Sequence, residues 1–307
     1  ELHQHIPFDV IHSQSMGANG ILKWAKANSI PIVSTWHGTN MTELSAYFST
    51  ASYNPRYWHW LVITPITLFR RYLAMELPIR KASEAITLVS PTLENHMKKH
   101  ATGKVITIPN GVFIPELMEP KFDLEIVDII SIGRLVEQKG VQHAINGVAS
   151  LPENLRSKVH LNIVGEGPYL KDLKQLSSSL GMNEYVTFHG RMVGDTLANM
   201  YKKCLIHLMP TTSHEGLPLT ILEGMSYGLV TIASDIGGIP SLISHNKDGF
   251  LISPGNSQEL AQSLEKLMIN RSLMQTLSES ARSTIIEGYS MEKMVNDTLQ
   301  VLVEAVG

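Results

Sequence analysis

Cysteine is almost absent from this chain of 307 residues. Cys204 stands alone, so no internal disulfide can form and a reducing compartment suits the protein. Placed just before the apolar run LIHLM, it is expected to be a buried, inert thiol. Long hydrophobic runs are missing too. The longest apolar-leaning run, LVITPITLF at residues 61–69, falls far short of the ~18–20 residues a membrane-spanning helix needs. Charge of one sign is not in excess: 25 Lys and Arg stand against 28 Asp and Glu, a formal net charge of −3. That leaves no basic field for nucleic acid. His3 and His5 form an HxH near the start, but no neighbouring cysteine or carboxylate pattern completes a metal set, so no metal site is expected. Repeats and low-complexity tracts are absent. The opening residues give no secretory leader pattern. Glu1 leads almost at once into a strand, FDVIH, so part of a domain is expected to lie ahead of it.

What is present is alternation. Hydrophobic residues make up 43% and charged residues 17% of the chain, a globular composition with length for two domains. Short β-branched runs alternate with helical patterns. Strands are expected at residues 8–12, 30–37, 85–90 and 104–109, with helices near 17–28, 57–78 and 91–100. Residues 111–125 carry two prolines and three glutamates and are expected to link two domains. A second series follows, with strands at 126–133, 159–165, 185–190, 205–210, 229–235 and 249–253. Its helices fall near 140–150, 168–181, 194–203, 218–227 and 257–270, and the tail from 271 is expected to be helical throughout. The strands are continuously apolar, as strands covered on both faces are. The order predicts an α/β protein with a doubly wound parallel sheet in each half. Domains are placed at 1–115 and 120–289.

Such sheets bind ligands beyond the carboxyl ends of their strands, and glycines and charges collect there. In SHEGLPLTILEGMSYG, residues 213–228, Gly216 and Pro218 form a turn into a helix, with Pro218 near the first helical position. Glu215 precedes the helix and Glu223 lies in its early turns. A helix N-terminus offers free N–H groups and partial positive charge, a natural phosphate site. Two carboxylates flanking it suit a ligand with a diphosphate in the middle and hydroxyls at both ends, the shape of a nucleotide sugar. The alternative is a helix whose first-turn acids merely complement its dipole. SIGRLVEQKG, residues 131–140, adds Arg134 and Lys139 after a strand, the charge partners a diphosphate needs. Gly165 in GEGP and Arg191 in HGR close two further strand-end loops. A lone GxG falls short of the dinucleotide fingerprint.

GRLVEQKG, LNIVGEGP, VTFHGR and HEGLPLTILEGMSYGLVTIASDIGGIP together resemble the group 1 (family 4 type) glycosyltransferases. These are retaining enzymes of the GT-B fold, two Rossmann-like domains facing a cleft. The resemblance covers nearly the whole chain and implies a sugar donor that is a nucleotide diphosphate, with no further cofactor. It also implies a glycan or lipid-linked acceptor and a role in cell envelope polysaccharide. By this resemblance Glu223 grips the ribose, Glu215 meets the donor sugar, and Gly216, Leu217 and Pro218 supply backbone to the diphosphate and sugar. Arg134 and Lys139 bind the diphosphate, and Gly238 lies in the small-residue loop nearby, where Ser241 replaces the usual glutamate. His37, in PIVSTWHG, matches a functional histidine at the donor sugar, and His12 an acceptor-side position. No Asp-x-Asp occurs, so cationic side chains are expected where other transferases use a metal. The resemblance implies that helix 290–307 packs back on the first domain. The segment at 57–80, with Tyr57, Trp58, Trp60, Phe69, Tyr72, Arg70 and Arg71, has two readings on a cytoplasmic protein, of which peripheral contact with the inner face of the membrane is the second. The first is an ordinary helix pair that packs these aromatics inside the domain. An epimerase on the same fold and a non-catalytic nucleotide-sugar-binding subunit remain alternatives for the whole.

Overall fold

The computed structural model describes residues 8–39, 60–116, 122 and 124–307, apart from the side chains of residues 60–64. The chain divides into two compact units, one formed by Glu1–Gly111 with Met291–Gly307 and the other by Val112–Ser290.

In the first unit β1 (Ile11–Gln14), β2 (Ile32–Trp36), β3 (Ala85–Leu88) and β4 (Lys104–Thr107) form one parallel sheet in that order. Val33, Ile86 and Leu88 are fully buried, which is why these runs do not alternate with polar residues. The connections hold α1 (Leu22–Ala27), α2 (Trp60–Arg71), α3 (Leu77–Ala82) and α4 (Glu94–Lys98). A π-helical turn, Tyr72–Glu76, joins α2 to α3. Arg80 reaches back one turn from α3 to an ion pair with Glu76, and both side chains are buried. The guanidinium also donates to the His96 carbonyl and lies over the rings of Trp36 and Tyr72. A buried charge needs partners of this kind.

The second unit is a six-stranded parallel sheet in the order β10-β9-β8-β5-β6-β7. Its strands are β5 (Val127–Ile132), β6 (Val159–Val164), β7 (Val186–Gly190), β8 (Ile206–Met209), β9 (Val230–Ser234) and β10 (Gly249–Ile252). The covering helices are α5 (Val141–Ala149), α6 (Glu153–Arg156), α7 (Leu170–Ser179), α8 (Asp195–Lys203), α9 (Leu219–Ser226), α10 (Ser257–Ile269) and α11 (Arg271–Gly288). Asn256 caps α10 by accepting from the N–H groups of Gln258 and Glu259, and Asn270 caps α11 by accepting from Leu273. The strand order reverses between β5 and β8, which are direct neighbours. A sheet of this kind leaves room for a ligand where the order reverses.

The final helix, α12 (Met291–Val306), returns to the first unit. Val301, Met294, Leu302 and Ala305 pack on Val33, Ala85 and Ile108.

The elements differ from the sequence expectations in several places. The first strand begins at Ile11 rather than residue 8. The helical region expected at 57–78 continues through the π turn to Ala82, and the short α6 was not anticipated. The tail is helical except for a break at Tyr289 and Ser290, ahead of the helix expected at 290–307. Tyr289 and Ser290 leave the helix because Ser290 forms a bridge with Val112, whose N–H donates to the Tyr289 carbonyl. That same bridge draws Val112 out of the expected linker. Pro218 is the residue capping α9, with φ −71° and ψ 118°, and Leu219 is the first helical one.

His207 lies in the middle of β8 with no exposure, and neither ring nitrogen has a partner among the described residues. Burial pushes its pKa down to about 4. Unfolded, the imidazole takes up its proton near pH 6.5. Above that pH both states are neutral and the stability is fully present. As the pH falls from 6.5 towards 4, the unfolded state binds the extra proton and about 3 kcal/mol is lost. Replacing His207 by Leu should flatten the fall in urea midpoint across this window. A slope equal to that of the parent protein would assign the loss to other groups.

Candidate functional site

Two loops meet at the reversal of the second sheet. The loop after β5 carries Arg134 and Lys139, and the loop after β8 runs from Pro210 to Pro218 into α9. They touch closely. Gly140 has φ 74°, and a β-carbon there would fall 1.8 Å from the Pro210 carbonyl oxygen. Only glycine allows both the backbone angle and the approach.

The approach brings Lys139 Nζ to 2.7 Å from Glu215 Oε1. Both side chains are partly shielded, at 32% and 14% exposure, so the pair is stronger than a fully solvated one. The Thr211 hydroxyl is wholly buried between the loops. It lies 2.9 Å from the Gln138 carbonyl and 3.3 Å from Glu215 Oε1. The Thr212 N–H donates to that same Gln138 carbonyl. Glu215 is gripped through its backbone as well, since its carbonyl accepts from Gly238 N–H at 2.8 Å. Ser241, where a glutamate was expected, turns its hydroxyl to the Gly238 carbonyl.

Arg134 is exposed and has no side-chain partner among the described residues. Gly216 is half-buried, Leu217 and Pro218 are buried, and α9 begins without a side-chain cap. Its first N–H groups are those a helix cannot satisfy internally. Glu223 sits one turn further along α9, its side chain tilted back toward the N-terminus as helical side chains are. The buried Tyr201 hydroxyl of α8 donates to Glu223 Oε2 at 2.9 Å. Burial and the neighbouring Glu223 charge push the Tyr201 phenol well above its ordinary range, so it stays a donor.

Gly165 follows β6, and its N–H donates to the Gly190 carbonyl at the end of β7. Arg191 follows in an exposed loop. Beside it a polar line crosses the sheet. His189 Nε2 lies 2.8 Å from Asn162 Oδ1, Asn162 donates to Asp128, and Asp128 pairs with Lys203 at 2.8 Å. Desolvation, Lys203 and His160 together lower the His189 pKa.

In the first unit His12 is the second residue of β1, and His37 follows the carboxyl end of β2. His12 Nε2 is 2.8 Å from the Thr35 hydroxyl, and His37 Nε2 is 2.9 Å from Gln14 Oε1. Desolvation lowers the pKa of both, so each imidazole is biased to its neutral form. Cys204 is buried, and burial raises its thiol pKa, as expected of an inert residue. Among the described residues no group of three or more His, Cys, Asp or Glu is placed to hold a metal ion.

Lys139, Glu215 and the α9 N-terminus are therefore drawn together, as are Glu223 and Tyr201. Thr211 and Tyr201 were not among the residues singled out in the sequence. A hydroxyl immediately after β8, in the same loop as Glu215, was the available signal for Thr211. Nothing in the α8 pattern distinguishes Tyr201 from a core aromatic.

The chain is similar to known proteins. Residues 119–284 match the model of "Glycosyl transferases group 1", and residues 1–114 match "Glycosyltransferase Family 4". The chain belongs to the group 1 glycosyltransferase family. It is 27% identical over 291 residues to a sulfoquinovosyl transferase of Arabidopsis thaliana, covering 89% of this chain and 52% of that protein. Among solved structures, sucrose-phosphate synthase from Thermosynechococcus elongatus superposes with a TM-score of 0.77 at 19% identity, over 99% of this chain and 75% of that one. Anabaena HepE in complex with UDP and glucose gives 0.75 at 19% identity, over 99% and 80%. These likenesses give the fold, the two parallel-sheet units of GT-B proteins. The chain spans about half the length of the curated relatives it matches.

Thr211→Val removes the hydroxyl between the two loops. The Gln138 carbonyl keeps its bond from Thr212, so the expected cost is that of one net hydrogen bond, about 1 kcal/mol. Thr211→Ser should restore most of it. Urea unfolding of the three proteins checks this, and a Thr211→Val protein as stable as the parent would show that the hydroxyl contributes nothing.

Proposed function

We propose that the protein is a retaining, metal-independent glycosyltransferase that takes a sugar from a nucleoside diphosphate sugar. The observation that carries this is the meeting of Lys139, Glu215 and the α9 N-terminus where the strand order of the second sheet reverses. A diphosphate would lie over the α9 N-terminus and take its charge partners from Arg134 and Lys139. Gly165 and Arg191 would border the nucleotide, and Gly216, Leu217 and Pro218 would offer backbone to the diphosphate and sugar. Glu223 would accept from the ribose hydroxyls and Glu215 from those of the sugar. His37 would serve the donor sugar and His12 the acceptor side.

As the bond from the anomeric carbon to the diphosphate oxygen breaks, charge grows on the departing phosphate. Preorganised cations and helix N–H groups favour that charge without reorganising. The acceptor hydroxyl attacks from the face the phosphate leaves, and the phosphate takes its proton. Glu215 orients hydroxyls and forms no covalent bond. HepE, a structural neighbour, is described in complex with UDP and glucose, which supports a donor of this class.

Glu215 also neutralises Lys139 in the free protein. Glu215→Gln should thus raise affinity for a plain nucleoside diphosphate, because Lys139 is released to it, while sugar transfer falls. Glu223→Ala should weaken the same binding by ~1.5–3 kcal/mol. Calorimetry with UDP, GDP and ADP reads both, and equal losses in the two variants would contradict this division of roles. A donor panel with and without glycan and lipid acceptors tests the reaction. Nucleotide release that needs an acceptor supports transfer, sugar interconversion without release marks an epimerase, and binding without turnover marks a binding subunit.

The acceptor is proposed to be a glycan or lipid-linked intermediate of cell envelope polysaccharide, met at the inner membrane face. On α2 and the π turn, Ile66, Phe69 and Leu73 are exposed beside the exposed Arg70 and Arg71. Apolar side chains flanked by arginine suit an anionic bilayer surface. Tyr57 and Trp58 lie outside the described residues, as does the side chain of Trp60. No described helix is long and apolar enough to cross a membrane. Each cation adds about 1 kcal/mol near an anionic surface, so attachment should be weak and fade with salt. Sedimentation with anionic vesicles should carry the protein down at low salt and release it at high salt, and Phe69→Ser should reduce it. Equal sedimentation with neutral vesicles would end the membrane proposal.

A further inference from the structure

We propose that Tyr201 is a positioning residue for ribose recognition, acting through Glu223. This rests on the reading above, in which Glu223 accepts from the nucleotide ribose. Tyr201 is 2% exposed, and among the described residues Glu223 is the hydroxyl's partner, at 2.9 Å. The ring cannot swing. It stacks on Tyr227, with centroids 5.3 Å apart and planes 17° from parallel. Around it Ile130, Val164, Cys204 and Leu229 form one buried cluster, with Leu197 and Met200 of α8 packed against it.

An immobile phenol therefore presents one donor to one carboxylate oxygen. An ionised carboxylate is acceptor only, with about four lone-pair positions. A phenolic O–H on Oε2 fills one of them and fixes the orientation of the group. Oε1 and the remaining position on Oε2 are then held ready for a pair of neighbouring hydroxyls, which is the chemistry of a ribose 2′,3′-diol. Glutamate otherwise has three rotatable side-chain bonds to freeze at the moment of binding. Packing alone would be served equally by phenylalanine, and a buried hydroxyl costs desolvation unless it is bonded. The hydroxyl's use is its bond to Glu223.

Tyr201→Phe keeps the ring and its stack and removes only the donor. Calorimetric titration of the parent protein, Tyr201→Phe and Glu223→Gln uses UDP, GDP and ADP, and then the 2′,3′-dideoxy form of the tightest binder. The expected result for Tyr201→Phe is a loss of ribonucleotide affinity of about 3- to 10-fold, the effect of one net hydrogen bond. Affinity for the dideoxy nucleotide should not change. Equal losses for both nucleotides would mean that Tyr201 only supports packing, and no loss for either would mean that Glu223 needs no positioning. Both results overturn the proposal. Should Glu223→Gln itself bind the ribo and dideoxy forms in the parent's ratio, the donor-site reading falls and the role of Tyr201 with it.

Discussion

The ion pair between Lys139 and Glu215 depends on a backbone contact, the near-touch of Gly140 and the Pro210 carbonyl. Strands β5 and β8 are neighbours, so the loops leaving their carboxyl ends start side by side. The absence of a side chain at residue 140 lets them close on one another. Once closed, they trap the Thr211 hydroxyl in a dry space where it ties one loop to the other. The carboxylate of Glu215 is then held from three directions, by an ammonium, a hydroxyl and, through its own backbone, the Gly238 amide. The site's electrostatics follow from this packing.

Such an arrangement keeps opposite charges in contact until a ligand separates them. Under the proposed function, a cation for phosphate and an anion for sugar hydroxyls neutralise each other in the free protein. The desolvation of each is already partly met, and neither needs to be drawn out of water when a donor arrives. The α9 N-terminus contributes in another way, because its N–H groups are fixed by the helix and do not rearrange.

Much of this is legible in the sequence because parallel sheets leave strong marks. Their strands are apolar on both faces, and their ligand loops follow the strand ends, so GRLVEQKG and SHEGLP point to one place. The strand order is not legible, and with it the adjacency of β5 and β8. Hence Lys139 and Glu215 could be assigned to neighbouring parts of a ligand without any sign that they bond to each other. Thr211 and Tyr201 stay hidden for a related reason. Their roles come from burial against distant residues, and a threonine after a strand or a tyrosine in an amphipathic helix has many uses. The break at Tyr289 and Ser290 is of the same kind, since its cause is Val112, far away in sequence. The Arg80–Glu76 pair has helical i,i+4 spacing, which in most chains marks a solvated surface contact. Only the fold reveals that it is buried.

The return of α12 to the first unit bears on how such a protein can be rearranged. Its residues 291–306 are encoded far from the strands they cover, with the whole second unit between. A recombination joint placed between the units would exchange the second unit together with a piece of the first one's core. Val301 would then face strands it had not been selected to match. Two joints are needed, one near residue 111 and one near residue 290, where Val112 and Ser290 already lie side by side in a bridge. Inserted there, the entire second unit could be replaced through a single point in space, leaving the packing of the first unit intact.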